Sequence, residues 1–289
     1  MSGGPELDGP PPVPPGAELL PNYRVVGHLR RGRDLDVYDI WSEVRACRVI
    51  AKTVRPDRLG EVGVARRLLH EGRLLKRLSH PHIVRAYEVH PGPPAVVIME
   101  TLHGETLAHL SDRVGRLPAR DLAHLGLHLA SALHYLHQQG TLHLDLKPGN
   151  VIAAHGLARL IDLSLAHPPG RALPGRGTRG YMAPEQVSGS ELTPATDVWA
   201  LGALLFELAT GHFACHDDEN STSGNDGDDE PACVPVPVRT WRRLPRRLGQ
   251  VIDCCLQDRP DDRPSLPEVS EVLEAFLAEA GAGRPVGSR

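Results

Sequence analysis

The run His143-Leu144-Asp145-Leu146-Lys147-Pro148-Gly149-Asn150 places an acid, an ammonium and an amide at offsets 0, 2 and 5. Twelve residues after Asn150 a second acid, Asp162, follows the apolar pair Leu160–Ile161. Upstream, Lys52 ends the run Ile50-Ala51-Lys52, and Glu71 follows in the next segment. Together these types suit a reaction that must neutralise phosphate charge and align an incoming hydroxyl. Taken singly, Lys52 or Glu71 reads as a surface ion-pair residue and Asp145 as the cap of a turn. The joint spacing favours the chemical reading.

Other motifs fall in order around these. They are Ala183-Pro184-Glu185, Asp197-Val198-Trp199 with Gly202 three residues on, and Asp258 followed by Arg263-Pro264. The set resembles the eukaryotic-like serine/threonine protein kinases, over about residues 21–277. The resemblance implies an α+β fold, bilobal and protein-kinase-like, with a small β-rich N-lobe and a larger α-helical C-lobe. It implies that Lys52, held by Glu71, reaches the phosphates of ATP. Asp162 and Asn150 would hold Mg2+, with Mn2+ as the alternative ion. Asp145 would accept the substrate proton, with Lys147 and Thr178 beside it. Gly32, Val37 and Ala51 would line the nucleotide site. His143, Asp197 and the pair Glu185–Arg263 read as architectural.

The chain departs from the family pattern at three places. Aligned on Val37 and Lys52, the phosphate-covering loop reads Arg30-x-Gly32-x-x-Leu35-x-Val37, with only the middle glycine kept. A Cβ at Leu35 restricts close approach of backbone to phosphate, and Asp34 adds negative charge there. This predicts weak nucleotide affinity, with Arg30 or Arg33 as compensating cations. Leu163-Ser164 follows Asp162 where the family has Phe-Gly. Leu144 replaces the arginine that binds a phosphorylated residue of the activation segment. Between Asp162 and Glu185 the only hydroxyls are those of Ser164, Thr178 and Tyr181. The expectation is a segment ordered without phosphorylation, or governed by a regulatory protein partner.

The elements that must position these groups follow from periodicity. Two strands with a turn near residues 30–34, a strand over 47–54, a helix over 61–78 and a strand over 95–99 make the N-lobe, about 21–102. A helix over 118–139 starts at a proline and stops at Gly140. Short apolar pieces at 151–153 and 157–161 follow, then helices at 194–210, 246–257 and 267–279, in a C-lobe of about 106–277. Residues 1–20 read as a disordered Pro/Gly-rich tail and 278–289 as a flexible C-terminal tail. Residues 216–231 carry seven acids and read as a solvated loop, followed in sequence by a basic run of Arg239, Arg242, Arg243, Arg246 and Arg247.

Composition bounds the function classes. The chain has 289 residues, 40% of them hydrophobic and 24% charged, which supplies a core. A formal charge of -4 argues against a dedicated nucleic-acid binder. No apolar run reaches about 18 residues, so no membrane span is expected. The five cysteines fit no regular disulfide or zinc spacing and read as buried thiols of a cytoplasmic protein. Three readings remain: an ATP-dependent kinase acting on Ser/Thr hydroxyls of protein substrates, a pseudokinase scaffold, and a small-molecule kinase. Ala183-Pro184-Glu185 and Arg263 argue against the last.

Overall fold

The computed structural model describes residues 9–215 and 234–282. The fold is bilobal, with a β-rich N-terminal unit and an α-helical C-terminal unit. The N-terminal unit comprises residues up to His103 together with Asp162–Ser164, and the C-terminal unit the remainder.

Alternating apolar residues build the N-terminal sheet. Its strands are β1 (Glu18–Leu20), β2 (Tyr23–Arg31), β3 (Leu35–Ser42), β4 (Cys47–Val54), β5 (Ala86–His90) and β6 (Val96–Glu100), in the order β1-β2-β3-β4-β6-β5. Every pairing is antiparallel. One face carries Tyr23, Val25, Tyr38, Ile40, Val49, Ala51, Val96 and Ile98 as a buried cluster. The helix α1 (Val62–Arg77) buries Val64, Leu68, Leu74 and Leu75, spaced as one helical face. Glu71 lies on that same buried face.

The expected disordered tail is corrected for residues 9–20. The Gly16 N–H donates to the Val25 carbonyl, and Val25 N–H returns a bond to Ala17. Val13, Leu19 and Leu20 pack on the buried cluster. Pro/Gly-rich composition removes helix and strand propensity, but three apolar side chains suffice to hold the segment on a sheet face. The expected flexible C-terminal tail is corrected for residues 278–282, because the last helix runs to Ala282, while residues 283–289 lie outside the described residues. Residues 216–231 lie outside the described residues.

The C-terminal unit starts with β7 (Glu105–Thr106), α2 (Leu107–Val114) and α3 (Ala119–Gln138), then β8 (Val151–Ala154) and β9 (Leu157–Leu160). β10 (Gly170–Arg171), α4 (Pro184–Ser188), β11 (Glu191–Leu192), α5 (Pro194–Thr210), α6 (Arg246–Cys255) and α7 (Leu266–Ala282) complete it. β7, β8 and β9 form one small sheet, and β10 pairs with β11. α5 is buried nearly all round, as its continuous apolar sequence requires. A Cβ at Gly202 would lie 2.6 Å from Cys255 Cβ on α6. Gly202→Ala should therefore cost about 1–3 kcal/mol in urea unfolding through overpacking; a loss below about 0.3 kcal/mol would show that the helices separate freely.

The cysteine expectation is also corrected. Among the described residues the free cysteines are Cys47 and Cys254, which are exposed, and Cys255, which is buried, and Cys215 is disulfide-bonded. Cys47 opens a strand at a hairpin end, and Cys254 is turned outward by its place beside Cys255 on a helix. Burial pushes the Cys255 thiol up to about 12. Among the described residues no helix is long and apolar enough to cross a membrane.

Candidate active site

Strand β4 delivers Lys52 and α1 delivers Glu71. The Lys52 ammonium donates to both Glu71 oxygens, at 2.9 and 3.0 Å, and to Asp162 Oδ2 at 2.9 Å. Leu163 is buried and its N–H donates to Glu71 Oε1. The Ser164 N–H donates to Asp162 Oδ1 at 2.8 Å. Ser164 thus fixes the carboxylate from the position where the family has glycine, without a positive φ.

Burial alone would lower the Lys52 ammonium, but Glu71 and Asp162 hold it above its ordinary value. Burial would raise the Asp162 carboxyl, but Lys52 and the Ser164 hydrogen bonds hold it well below the usual range. Glu71 goes the other way. Burial raises it to about 7, the Lys52 charge only partly offsetting this and Asp162 adding to it. Two carboxylates against one ammonium leave a buried negative charge, which one proton relieves. Between its ordinary 4.5 and about 7, the unfolded chain has released a proton that the folded chain keeps. The stability contributed by Glu71 is therefore complete below about pH 4.5 and is lost as pH rises through about 7. From pH 5 to pH 8 the wild-type urea midpoint should fall relative to that of Glu71→Gln, which does not titrate; parallel pH profiles would contradict this.

The register settles which neighbours share the Lys52 face. Val37 stands directly opposite Lys52 and shares it. Ala51 does not. It is fully buried in the cluster on the opposite face, opposite Tyr38 and Ile98, so its assignment to the nucleotide site is corrected. Successive strand residues alternate faces, which puts Ile50 beside Lys52 instead. That signal was present in the sequence. Gly32 sits at the tip of the β2–β3 hairpin, its N–H donating to the Leu35 carbonyl at 2.7 Å. The Asp34 carboxylate at that tip is paired by Arg67 of α1 at 3.0 Å.

The second group of residues lies in the C-terminal unit, Asp145, Lys147 and Asn150 between α3 and β8 and Thr178 between β10 and α4. Asp145 Oδ1 accepts from the Thr178 hydroxyl at 2.6 Å, and Oδ2 from Lys147 Nζ at 2.8 Å and Asn150 Nδ2 at 3.0 Å. Lys147 Nζ also donates to Thr178 Oγ1 at 2.5 Å. All four residues named from spacing are thus brought together here.

The backbone that carries Asp145 is held from below. Leu144 and His143 donate their N–H groups to the two oxygens of Asp197 at 2.8 Å each, and His137 reaches Asp197 at the same distance. Burial would raise the Asp197 carboxyl, but His137 and the His143 N–H hold it below its ordinary value. Leu144 has φ +64°, a conformation that costs a side-chain-bearing residue about 1–2 kcal/mol. Gln186 Nε2 donates to the Leu144 carbonyl at 3.0 Å and to that of Arg176. Gln186 and His137 are positioning residues that no spacing announced. The Leu144 side chain packs with Leu142 and Leu192, and with partly buried Leu165 and Ala172. An apolar cluster holds the start of the segment at the position where the family has the phosphate-binding arginine.

A profile of the protein kinase domain matches residues 23–274. The chain is 34% identical over 207 residues to serine/threonine-protein kinase PknK of Mycobacterium bovis, covering 69% of this chain and 19% of that one. It is 31% identical over 264 residues to serine/threonine-protein kinase PkaA of Streptomyces coelicolor, with coverage of 83% and 47%. It is 30% identical over 208 residues to the SNF1-related protein kinase catalytic subunit alpha KIN12 of Arabidopsis thaliana, with coverage of 70% and 42%. The chain spans between about a fifth and about half the length of these relatives. It belongs to the protein kinase domain family, as a eukaryotic-like serine/threonine protein kinase domain.

The donor set fits the cofactors that the family implies. Mg2+ takes one or two protein oxygens and completes its shell with phosphates and water. Asp162 in the N-terminal unit and Asn150 in the C-terminal unit are each a donor of that kind, and among the described residues no group of three His, Cys, Asp or Glu forms an all-protein cage. Mn2+ shares this preference for oxygen. Lys52 is a cation of the kind that suits phosphate, held here by Glu71 and Asp162.

Proposed function

We propose that this chain is an ATP-dependent kinase that transfers the γ-phosphoryl group to serine and threonine hydroxyls of proteins. The observation that carries the reading is the grip of Lys147, Thr178 and Asn150 on Asp145. A scaffold freed of catalysis has no need to hold a carboxylate at two oxygens by three donors. Asp145 orients the substrate hydroxyl and accepts its proton, while Lys147 screens the charge that develops beside it. Lys52, kept charged by its two carboxylates, binds the α and β phosphates. Asp162 and Asn150 hold Mg2+, or Mn2+ in its place. When bound, the ion neutralises phosphate charge and supplies a Lewis acid. Val37 and Ile50 face the nucleotide from the sheet. The domain acts in the cytoplasm, where ATP is supplied. Its regulation falls to a protein partner, because Leu144 offers no cation to a phosphorylated segment.

A second reading, a pseudokinase scaffold, is favoured by Leu35, which puts a Cβ where the third glycine of the covering loop belongs. One assay separates the two. Purified protein is incubated with labelled ATP, Mg2+ and a generic basic protein, beside Lys52→Ala. Transfer by the wild type that is lost in the variant supports the kinase. Nucleotide binding without transfer supports the scaffold and ends the kinase reading.

A further inference from the structure

The β2–β3 tip is unusual in where its polar backbone groups go. Three residues, Gly32, Arg33 and Asp34, join the strands. The carbonyls of all three accept hydrogen bonds from one residue. Arg55 donates from its guanidinium to Gly32 O at 3.2 Å and Arg33 O at 3.3 Å, and from its backbone N–H to Asp34 O at 3.1 Å. Arg55 is only 2% exposed, so its charge is fixed within the protein. Asp57 receives the other side of the guanidinium with both oxygens, at 2.9 Å each, and thereby sets its plane.

The strands below the tip are locked too. Arg31 and Asp36 are direct partners in the ladder, and Arg31 makes two 2.9 Å bonds to the buried Asp36 carboxylate. His28 adds a third contact to Asp36 at 3.1 Å. The segment before β1 closes over this arrangement. The Arg31 guanidinium donates to the Pro10 carbonyl at 2.9 Å, and the Val13 N–H donates to the Tyr38 hydroxyl at 3.0 Å. A Cβ added at Gly9 would lie 2.7 Å from the Arg55 guanidinium.

We infer that Arg55 is a positioning residue, which with Asp57 and the strap of residues 9–16 holds the tip in one conformation, its Gly32 N–H turned in to the Leu35 carbonyl, and so sets the shape that the tip offers to phosphate. A glycine-rich tip reaches a phosphate-binding shape by being free to adopt it, and pays conformational entropy on doing so. This hairpin keeps one of the three glycines, Gly32, and carries Arg30 and Leu35 on the flanking strands where the other two belong. Arg55 replaces that freedom by preorganisation, binding the carbonyl side of the tip. The weak nucleotide affinity expected from the lost glycines is offset in the same way. The inference rests on the kinase reading for its use of nucleotide, though the clamp itself does not.

The test uses Arg55→Gln and Asp57→Asn in the full chain. Asp57 is partly exposed and releases Arg55 without removing a buried side chain, so it serves where Arg55→Gln fails to fold. Amide exchange of Gly32 and tryptic cleavage after Arg33 are followed without nucleotide. Both should accelerate at least about tenfold in the variants, while exchange in α1 and β6 stays within about twofold of wild type. KM for ATP should rise about three- to tenfold, with kcat within about twofold, because the loss falls on nucleotide binding. An unchanged Gly32 exchange rate overturns the clamp. Equal acceleration throughout the sheet also overturns it, since Arg55 would then be only a stability residue. A wild type that transfers no phosphate sinks the kinase reading instead, and the exchange arm still decides the clamp.

Discussion

Asp145→Asn will lower kcat by about 10²- to 10⁴-fold, the range expected for removing a general base. The substitution is isosteric, and Asn keeps an oxygen for the Thr178 hydroxyl or for Lys147. It does not keep a charge to hold the Lys147 ammonium, which sits 2.8 Å from Oδ2. Nor does it keep a lone pair basic enough to take a hydroxyl proton at neutral pH. KM for ATP should change little, because Lys52, the residue proposed to bind the phosphates, belongs to the other constellation. The measurement is single-turnover transfer from labelled ATP, with the folded state checked by urea titration. Retention of more than a tenth of the wild-type rate would remove Asp145 from the chemistry and with it the kinase assignment.

Arg263→Ala will destabilise the C-terminal unit by about 3–5 kcal/mol, the cost of leaving a buried charge without its partner. The Arg263 side chain is wholly buried and that of Glu185 is 5% exposed. The guanidinium makes two bonds to Glu185, at 2.7 and 2.9 Å. Its remaining donors go to the carbonyls of Ala195, Gln257 and Asp258. It also lies 5.0 Å from the Trp199 ring centroid. One residue therefore ties the start of α4, the start of α5 and the turn before α7. Arg263→Lys keeps the charge but lacks the planar fork, and should recover less than half of the loss. Urea unfolding reports both variants. A cost below about 1 kcal/mol for Arg263→Ala would show that Glu185 finds water or another donor. Loss of activity in this variant should track loss of folded protein, since Arg263 touches no reacting group.

Much of the architecture was legible because local pattern and tertiary burial agree. Cys47–Val54 and residues 194–210 are legible to the residue, the first by its β-type run and the second by its strongly apolar run. β5 was not read. Ala86–His90 pairs with β6 at the sheet edge and is only partly buried past its first residue, so its pattern is diluted by polar side chains. The segment 9–20 was misread because its composition describes what it lacks and says nothing of a sheet face ready to receive three apolar groups. Ala51 was misassigned by adjacency to Lys52, where strand alternation separates neighbours and joins Ile50 to Lys52.

The sequence by itself determined the cast of chemical groups. Offsets as short as that from Asp145 to Asn150 are set by covalent connectivity and a tight turn, so they survive any packing. Tertiary structure alone decided which partner each group meets. Lys52 and Asp162 are 110 positions apart, Leu144 and Gln186 are 42, and Arg55 and Gly32 are 23. No local propensity encodes such pairs, because their geometry follows from how strands register and helices seat on one another. The same packing turned Leu144 from a missing arginine into an apolar anchor, and Arg55 from an unremarked residue after a strand into the one that holds the hairpin tip.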